Sequence, residues 1–275
     1  MAAKREQSAR ETANMRPVDF VDPPVVETAI GVVFAPMKSW NLLHFGLLWE
    51  RFRRAYPNAE VRLPTGKPQF EGLDFTSGAE IELSKLPLRC AFLDSARNQS
   101  VQVQSNSFVR NWRKTDEPVR YVHYDEIRPL FVEDWSTFKT FLNEHGFQAP
   151  EIWQAEVTYV NHIVRGREWD SLLDVATIFP FWERQLTSRF DFRPYSFTFT
   201  AALPGNQGQL NVLCSPVLRA DGRQVIQFTI SSCGKPPGSD DKQLMAWIDQ
   251  CHEYVVTFFA DFTSEKAQMA WRRTK

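Results

Sequence analysis

The chain predicts an α+β fold in which two similar β-α-β-β-(β)-α halves form a curved, mainly antiparallel sheet with helices on one face. Three observations carry that reading. Short runs of alternating apolar residues recur between turn signals, amphipathic helical stretches return after them, and one pattern of residues occurs twice. In the first copy, Val25-Val26-Glu27-Thr28-Ala29-Ile30 precedes a helical stretch that closes on Trp49-Glu50-Arg51. In the second, Gln154-Ala155-Glu156-Val157-Thr158-Tyr159 precedes Trp182-Glu183-Arg184. Strand meanders with helices crossing back over them give antiparallel sheets covered on one face. Residues 1–16 are polar and charged and predict a mobile arm, followed by a first half over 17–150 and a second over 151–275, or one integrated domain.

The elements follow in order. Pro17, Pro23 and Pro24 fix an extended approach, and Val26, Thr28, Ile30, Val32 and Phe34 alternate with the other face, so 25–34 is a strand. Ser39 is a capping residue for a helix over about 40–55, with Phe45, Leu48, Trp49, Phe52 and Tyr56 on one face and Pro57 ending it. Residues 58–80, rich in Pro and Gly, read as a long connection. Leu88–Asp94 and Gln99–Asn106 read as strands joined by Ser95-Ala96-Arg97-Asn98, with Gln102 and Gln104 on a wet face, and the second continues through Phe108 to Trp112. A helix over about 124–145 carries the stripe Ile127, Leu130, Phe131, Phe138, Phe141 and Leu142, and Gly146 stops it. The second half gives a strand over 152–164, a helix over 169–190 interrupted at Pro180, and strands near 194–203, 209–218 and 223–232. Asp221-Gly222 marks the hairpin between the last two. Ser239 or Asp240 caps a long helix to about Phe262, and Thr263-Ser264-Glu265 starts a short final one.

Composition narrows the function. The net charge of −1 does not suit a chain that coats nucleic acid, although Arg outnumbers Lys among the 32 basic residues. Cys90, Cys214, Cys233 and Cys251 stand apart with no CxxC spacing, and the five histidines are equally scattered, so neither a zinc site nor another metal centre is predicted. Isolated cysteines suit a reducing, cytoplasmic setting. No apolar run is long enough to predict a membrane span, and no cofactor fingerprint such as a P-loop or GxGxxG is present.

Three groups of residues carry chemistry worth weighing. Glu27 and Glu156 occupy matching strand positions, and paired carboxylates held at a fixed separation can do acid–base work or hold Mg²⁺; each can equally be a carboxylate paired with Arg on the wetter face. In Tyr159-Val160-Asn161-His162, Tyr159 and Asn161 share a strand face and His162 lies opposite. A lone His without a placed Ser, Cys or Asp is more often structural than a general base. Phe108-Val109-Arg110-Asn111-Trp112-Arg113-Lys114 mixes aromatic, amide and cation: Arg110 and Trp112 share one face, Asn111 and Arg113 the other. Such a strand can stack a base and grip a phosphate, or it can be a sheet strand whose Trp enters the core.

Pro23-Pro24-Val25-Val26-Glu27 with Gly31-Val32-Val33-Phe34, Val101-Gln102-Val103-Gln104 leading to Asn111-Trp112-Arg113, Glu156-Val157-Thr158-Tyr159-Val160-Asn161-His162-Ile163, and Phe262-Thr263-Ser264-Glu265 with Trp271 occur in a specific order over about residues 18–272. In that order they resemble an uncharacterised, sporadically distributed bacterial protein family of roughly 250 residues. The resemblance implies no reaction and no catalytic residues. It implies, by distribution alone, an accessory role such as a component of a defence or toxin–antitoxin type system. The functional expectation is therefore a non-enzymatic binding module that meets a protein or nucleic-acid partner on its sheet face or in the groove between halves. The alternatives are a small-ligand sensor with a cavity between sheet and helices, and a hydrolase-like enzyme using Glu27 and Glu156.

Overall fold

A computed structural model of the chain describes residues 18–63, 88–115, 120–171, 174–180, 196–238 and 240–274. Its nine strands are β1 (Val25–Phe34), β2 (Asn58–Arg62), β3 (Arg89–Leu93), β4 (Gln99–Gln104), β5 (Ser107–Arg113), β6 (Ile152–Val164), β7 (Phe197–Ala202), β8 (Gly208–Leu218) and β9 (Gln224–Gly234). They form an open antiparallel sheet in the order β2-β3-β4-β5-β1-β6-β9-β8-β7. The helices among the described residues are α1 (Leu42–Phe52), α2 (Tyr124–Glu144), α3 (Val175–Ile178), α4 (Asp241–Phe262) and α5 (Glu265–Ala270), and they lie on one side of the sheet. The expected α+β class, antiparallel pairing and one-sided helices are all present. β1 lies beside β5, and β6 beside β9.

The chain divides into two compact units, one of Glu27–Val157 with Cys233–Ile248, the other of Met1–Val26, Thr158–Ser232 and Asp249–Lys275. In the first, alternation decides the burial. Ile30, Val32 and Phe34 of β1, Val101 and Val103 of β4, and Phe108 of β5 share the helix-facing side and are fully buried. The α2 face that meets them is aromatic: Phe138 lies 5.9 Å from Phe34 and 5.0 Å from Phe108, and Trp135 lies 5.4 Å from Phe108 between ring centroids. Each buried aromatic contributes roughly 1.5–3 kcal/mol by area, and the edge-to-face pairs add to that. α2 ends as its sequence predicts. Gly146 has φ +74°, its N–H donates to the Asn143 carbonyl, and Phe147 N–H donates to the Leu142 carbonyl, which completes a Schellman cap.

In the second unit, Phe179, Phe228 and Phe262 form one cluster, with Phe197 and Phe199 tilted against Phe262, and Phe259 between Phe20 and Trp271. Ser264 caps α5 by accepting from Ala267 N–H at 3.1 Å.

Some local expectations shift. The cap of α1 is Asn41 rather than Ser39: Asn41 accepts from Leu43 N–H, and Nδ1 of His44 accepts from Asn41 N–H, closing a reciprocal box. Residues 58–62 form the edge strand β2, paired to β3 from Asn58↔Leu93 to Arg62↔Arg89, rather than part of the long connection. Pro57 and the polar run Asn58-Ala59-Glu60 hid it, because an edge strand is held by its neighbour's backbone and needs no apolar stripe. The predicted continuous strand from Gln99 to Trp112 is instead a hairpin, turning at Ser105-Asn106 between β4 and β5. Of the helix expected over 169–190, α3 covers Val175–Ile178, and the second Trp-Glu-Arg copy lies outside the described residues, as do the 1–16 arm and Ser239. Asp240 caps α4, its Oδ1 accepting from Gln243 N–H at 2.8 Å.

Candidate functional site

Strand parity sorts the candidates before any chemistry is considered. On β5, residues 108, 110 and 112 face the helices, whereas 107, 109, 111 and 113 face the other side, and register carries this across the sheet. Ser100 is the Cα partner of Asn111, Glu27 of Arg113, and on β2 Glu60 is the partner of Ala91. The face away from the helices is therefore rich in polar groups: Glu60, Arg62, Arg89, Ser100, Gln102, Asn111, Arg113, Glu27, Gln154 and Glu156.

A cavity of about 430 Å³ opens on this face within the unit Glu27–Val157. Glu27, Asn111 and Arg113 line it from β1 and β5, Glu60 and Arg62 from β2, and Arg97 and Asn98 from the β3–β4 turn. Its charged groups fall into two sets. In the first, Glu60 accepts from Arg62 at 3.1 Å and from Arg97, and these two hydrogen bonds hold its carboxyl below the usual range. Arg97 reaches Glu60 from a left-handed turn position, φ +58°, closing the tight hairpin between β3 and β4. In the second set, Glu27 Oε1 accepts from Asn111 Nδ2 at 2.5 Å. Arg113 is the Cα partner of Glu27, yet among the described residues its guanidinium has no side-chain partner. Its backbone N–H is tied to the Asn98 carbonyl at 2.7 Å, which fixes the strand end from which the side chain projects.

Arg110 and Trp112 take the opposite face. Arg110 is 2% exposed and its guanidinium meets Asp134 of α2, Tyr56 and Gln99, while Tyr56 donates to Asp134 at 2.8 Å. Burial raises the Tyr56 hydroxyl pKa well above its ordinary value, so it stays a donor. Trp112 is 1% exposed and meets Tyr121 edge-on at 5.8 Å. The mixture of cation, amide and aromatic is thus split by the sheet: Arg110 and Trp112 belong to the core, and Asn111 and Arg113 to the cavity.

Glu156 stands apart from Glu27. It accepts from Gln154 Nε2 at 2.9 Å and lies against Gly31, four residues along β1 from Glu27. Four strand residues span about 13 Å, beyond the carboxyl separations of glycoside hydrolysis. Burial raises the Glu156 carboxyl pKa, with the Gln154 hydrogen bond opposing it. Gln154 is 1% exposed, and its Oε1 has no partner among the described residues.

The remaining candidates lie in the second unit. Tyr159 Oη is 3.0 Å from Nδ1 of His252 on α4, and Asn161 Nδ2 donates to the Phe228 carbonyl at 3.0 Å, so both are engaged toward the helices. His162 points the other way, its pKa lowered chiefly by burial, with a Gln227 hydrogen bond opposing that shift. No Ser, Cys or Asp relay attaches to His162 among the described residues. No group of three or more His, Cys, Asp or Glu residues is placed to hold a metal ion among the described residues, and no described helix is long and apolar enough to cross a membrane.

Glu60, Arg62 and Arg97 are the charged cavity residues that sequence reasoning missed. Two sit on a strand hidden in an apparent connection and one in a turn, so their only advance signal was charge.

No protein-family model matches the chain, and no curated protein does. Among solved structures the chain is similar to DynU16, described as a protein of the dynemicin biosynthetic locus, at 14% identity and a TM-score of 0.26, over 90% of this chain and 99% of that one. A likeness of that size bears on neither fold nor function.

Proposed function

We propose that the chain is a non-enzymatic binding module that takes its ligand or partner on the sheet face turned away from the helices. The observation that carries this is the 430 Å³ polar cavity within the unit Glu27–Val157. Among the described residues it holds Arg113 unpaired beside a fixed Asn111–Glu27 pair, and no nucleophile–base arrangement. Three features favour binding over catalysis. Glu27 and Glu156 stand at different positions with different partners. His162 has an amide partner and, among the described residues, no carboxylate or nucleophile bonded to it. The fixed polar groups of the cavity match the few placed hydrogen-bonding groups by which sites recognise ligands.

A small ligand is favoured over nucleic acid, because Trp112 and Arg110 are committed to the core and offer no stacking platform on the cavity face. The cavity between sheet and helices expected for a sensor is replaced in this unit by Phe34, Phe108, Trp135 and Phe138. That packing supports a site on the other face.

The test uses the full chain as bait in extract of its native host, beside the double variant Asn111→Ala/Arg113→Ala, with retained molecules identified by mass spectrometry. A molecule retained by the wild type and lost from the variant supports the reading. Equal retention by both, or none by either, overturns it. The role in a bacterial defence or toxin–antitoxin type system, and membership of the sporadically distributed family, are proposals resting on the sequence resemblance. Co-expression with the neighbouring genes tests the role: neutralised or restored toxicity supports it, and indifference counts against it.

A further inference from the structure

We infer that the cavity recognises a small ligand carrying an oxyanion and, a few ångströms away, an ammonium or hydroxyl donor; this rests on the binding reading above and specifies its ligand. The reason is unequal saturation of the charged groups. Among the described residues three arginines and two glutamates line the cavity, one net positive charge. Arg62 and Arg97 share Glu60, so each has a carboxylate partner, although the trio keeps one net positive charge. Arg113 is left as the cation without a side-chain partner among the described residues, although a carboxylate stands on the facing register position of the next strand.

Glu27 is held away by its 2.5 Å hydrogen bond from Asn111. Asn111 is itself mostly buried, so the donor end of this bond is shielded from water and fixes the carboxylate direction. Glu27 Oε1 is engaged, which leaves Oε2 to accept from a ligand donor. A planar guanidinium with open donors suits a carboxylate or phosphate in bidentate fashion. The two groups therefore present opposite charges, side by side, to one occupant. The Glu60 clamp contributes differently. It gives Arg62 and Arg97 a carboxylate that an anion would have to displace, whereas Arg113 has its donors open.

The experiment is isothermal titration calorimetry of the full chain with phosphoethanolamine, inorganic phosphate and ethanolamine. Phosphoethanolamine is expected to bind most tightly, inorganic phosphate more weakly, and ethanolamine not measurably. Arg113→Gln should weaken phosphoethanolamine and phosphate alike by about tenfold or more, the loss expected of one charge-assisted interaction. Glu27→Gln should weaken phosphoethanolamine while leaving phosphate unchanged or tighter. Circular dichroism of both variants checks that they are folded, and both positions face the cavity rather than the core. No binding of either phosphate compound by the wild type, or equal binding by wild type and Arg113→Gln, overturns the inference. In that event, a molecule captured from extract in an Arg113-dependent manner would still uphold the broader binding reading, so the two failures are distinguishable.

Discussion

Glu156 and Gly31 are locked together: a Cβ placed on Gly31 would stand 3.0 Å from both Cγ and Oε1 of Glu156. The glycine is needed for close approach, not for a left-handed backbone. It gives the Glu156 side chain room to lie along the sheet and meet Gln154.

Gly31→Ala should therefore destabilise the chain by about 1 kcal/mol, as overpacking does when the neighbour is anchored. In a Glu156→Ala background the same substitution should be neutral or stabilising by about 0.5 kcal/mol, because alanine restricts the unfolded chain more than glycine. Urea unfolding of the four proteins gives the coupling energy. Equal effects of Gly31→Ala in both backgrounds would contradict the contact.

The protonation of Glu156 sets a pH dependence. Burial raises its folded carboxyl pKa above the unfolded value, so between the two the unfolded chain releases a proton that the folded one keeps. Stability from this group thus falls as pH rises from the unfolded carboxylate range. Glu156→Gln should unfold at higher urea than the wild type at pH 8, with the difference shrinking toward zero near pH 4. A difference that stays constant over that range would show that the group does not titrate abnormally.

Among the described residues Asp134 is the only acidic group that Arg110 meets, within an almost fully buried cluster. Asp134→Ala should cost about 3–5 kcal/mol, since it strands a guanidinium in the core. Tyr56→Phe, which removes the hydroxyl's two hydrogen bonds, from Arg110 and to Asp134, and leaves the ion pair, should cost about 1–2 kcal/mol. The double replacement Arg110→Met with Asp134→Leu should lose less than Asp134→Ala alone. Chemical denaturation ranks the three, and a Tyr56→Phe loss as large as that of Asp134→Ala would contradict this account.

All four cysteines are buried as free thiols, with Cys214 pushed up to about 12 and Cys90 also raised by burial. Reaction with an aromatic disulfide reagent at pH 8 should be negligible in the native protein and reach four thiols once the chain is unfolded in guanidinium, a value set by the sequence. Rapid native modification at Cys214 would show that its strand opens readily.

Local pattern alone determined much of the architecture. Val25–Phe34 and Ile152–Val164 have the bounds their alternation implies, and α2 ends where Gly146 permits a left-handed turn. These elements are legible because period and caps are properties of neighbouring residues. Parity also showed that Arg110 and Trp112 share one face and Asn111 and Arg113 the other. Which of those faces meets the helices was decided by tertiary packing, and with it the division of one motif between core and cavity. The same holds for Glu60, Arg62 and Arg97: an edge strand and a turn far apart in the chain saturate one another only once β2, β3 and β4 are registered. The open charge of Arg113 is thus not a property of its sequence neighbourhood. It is what remains after strand pairing has assigned partners to the other two arginines and turned Glu27 toward Asn111.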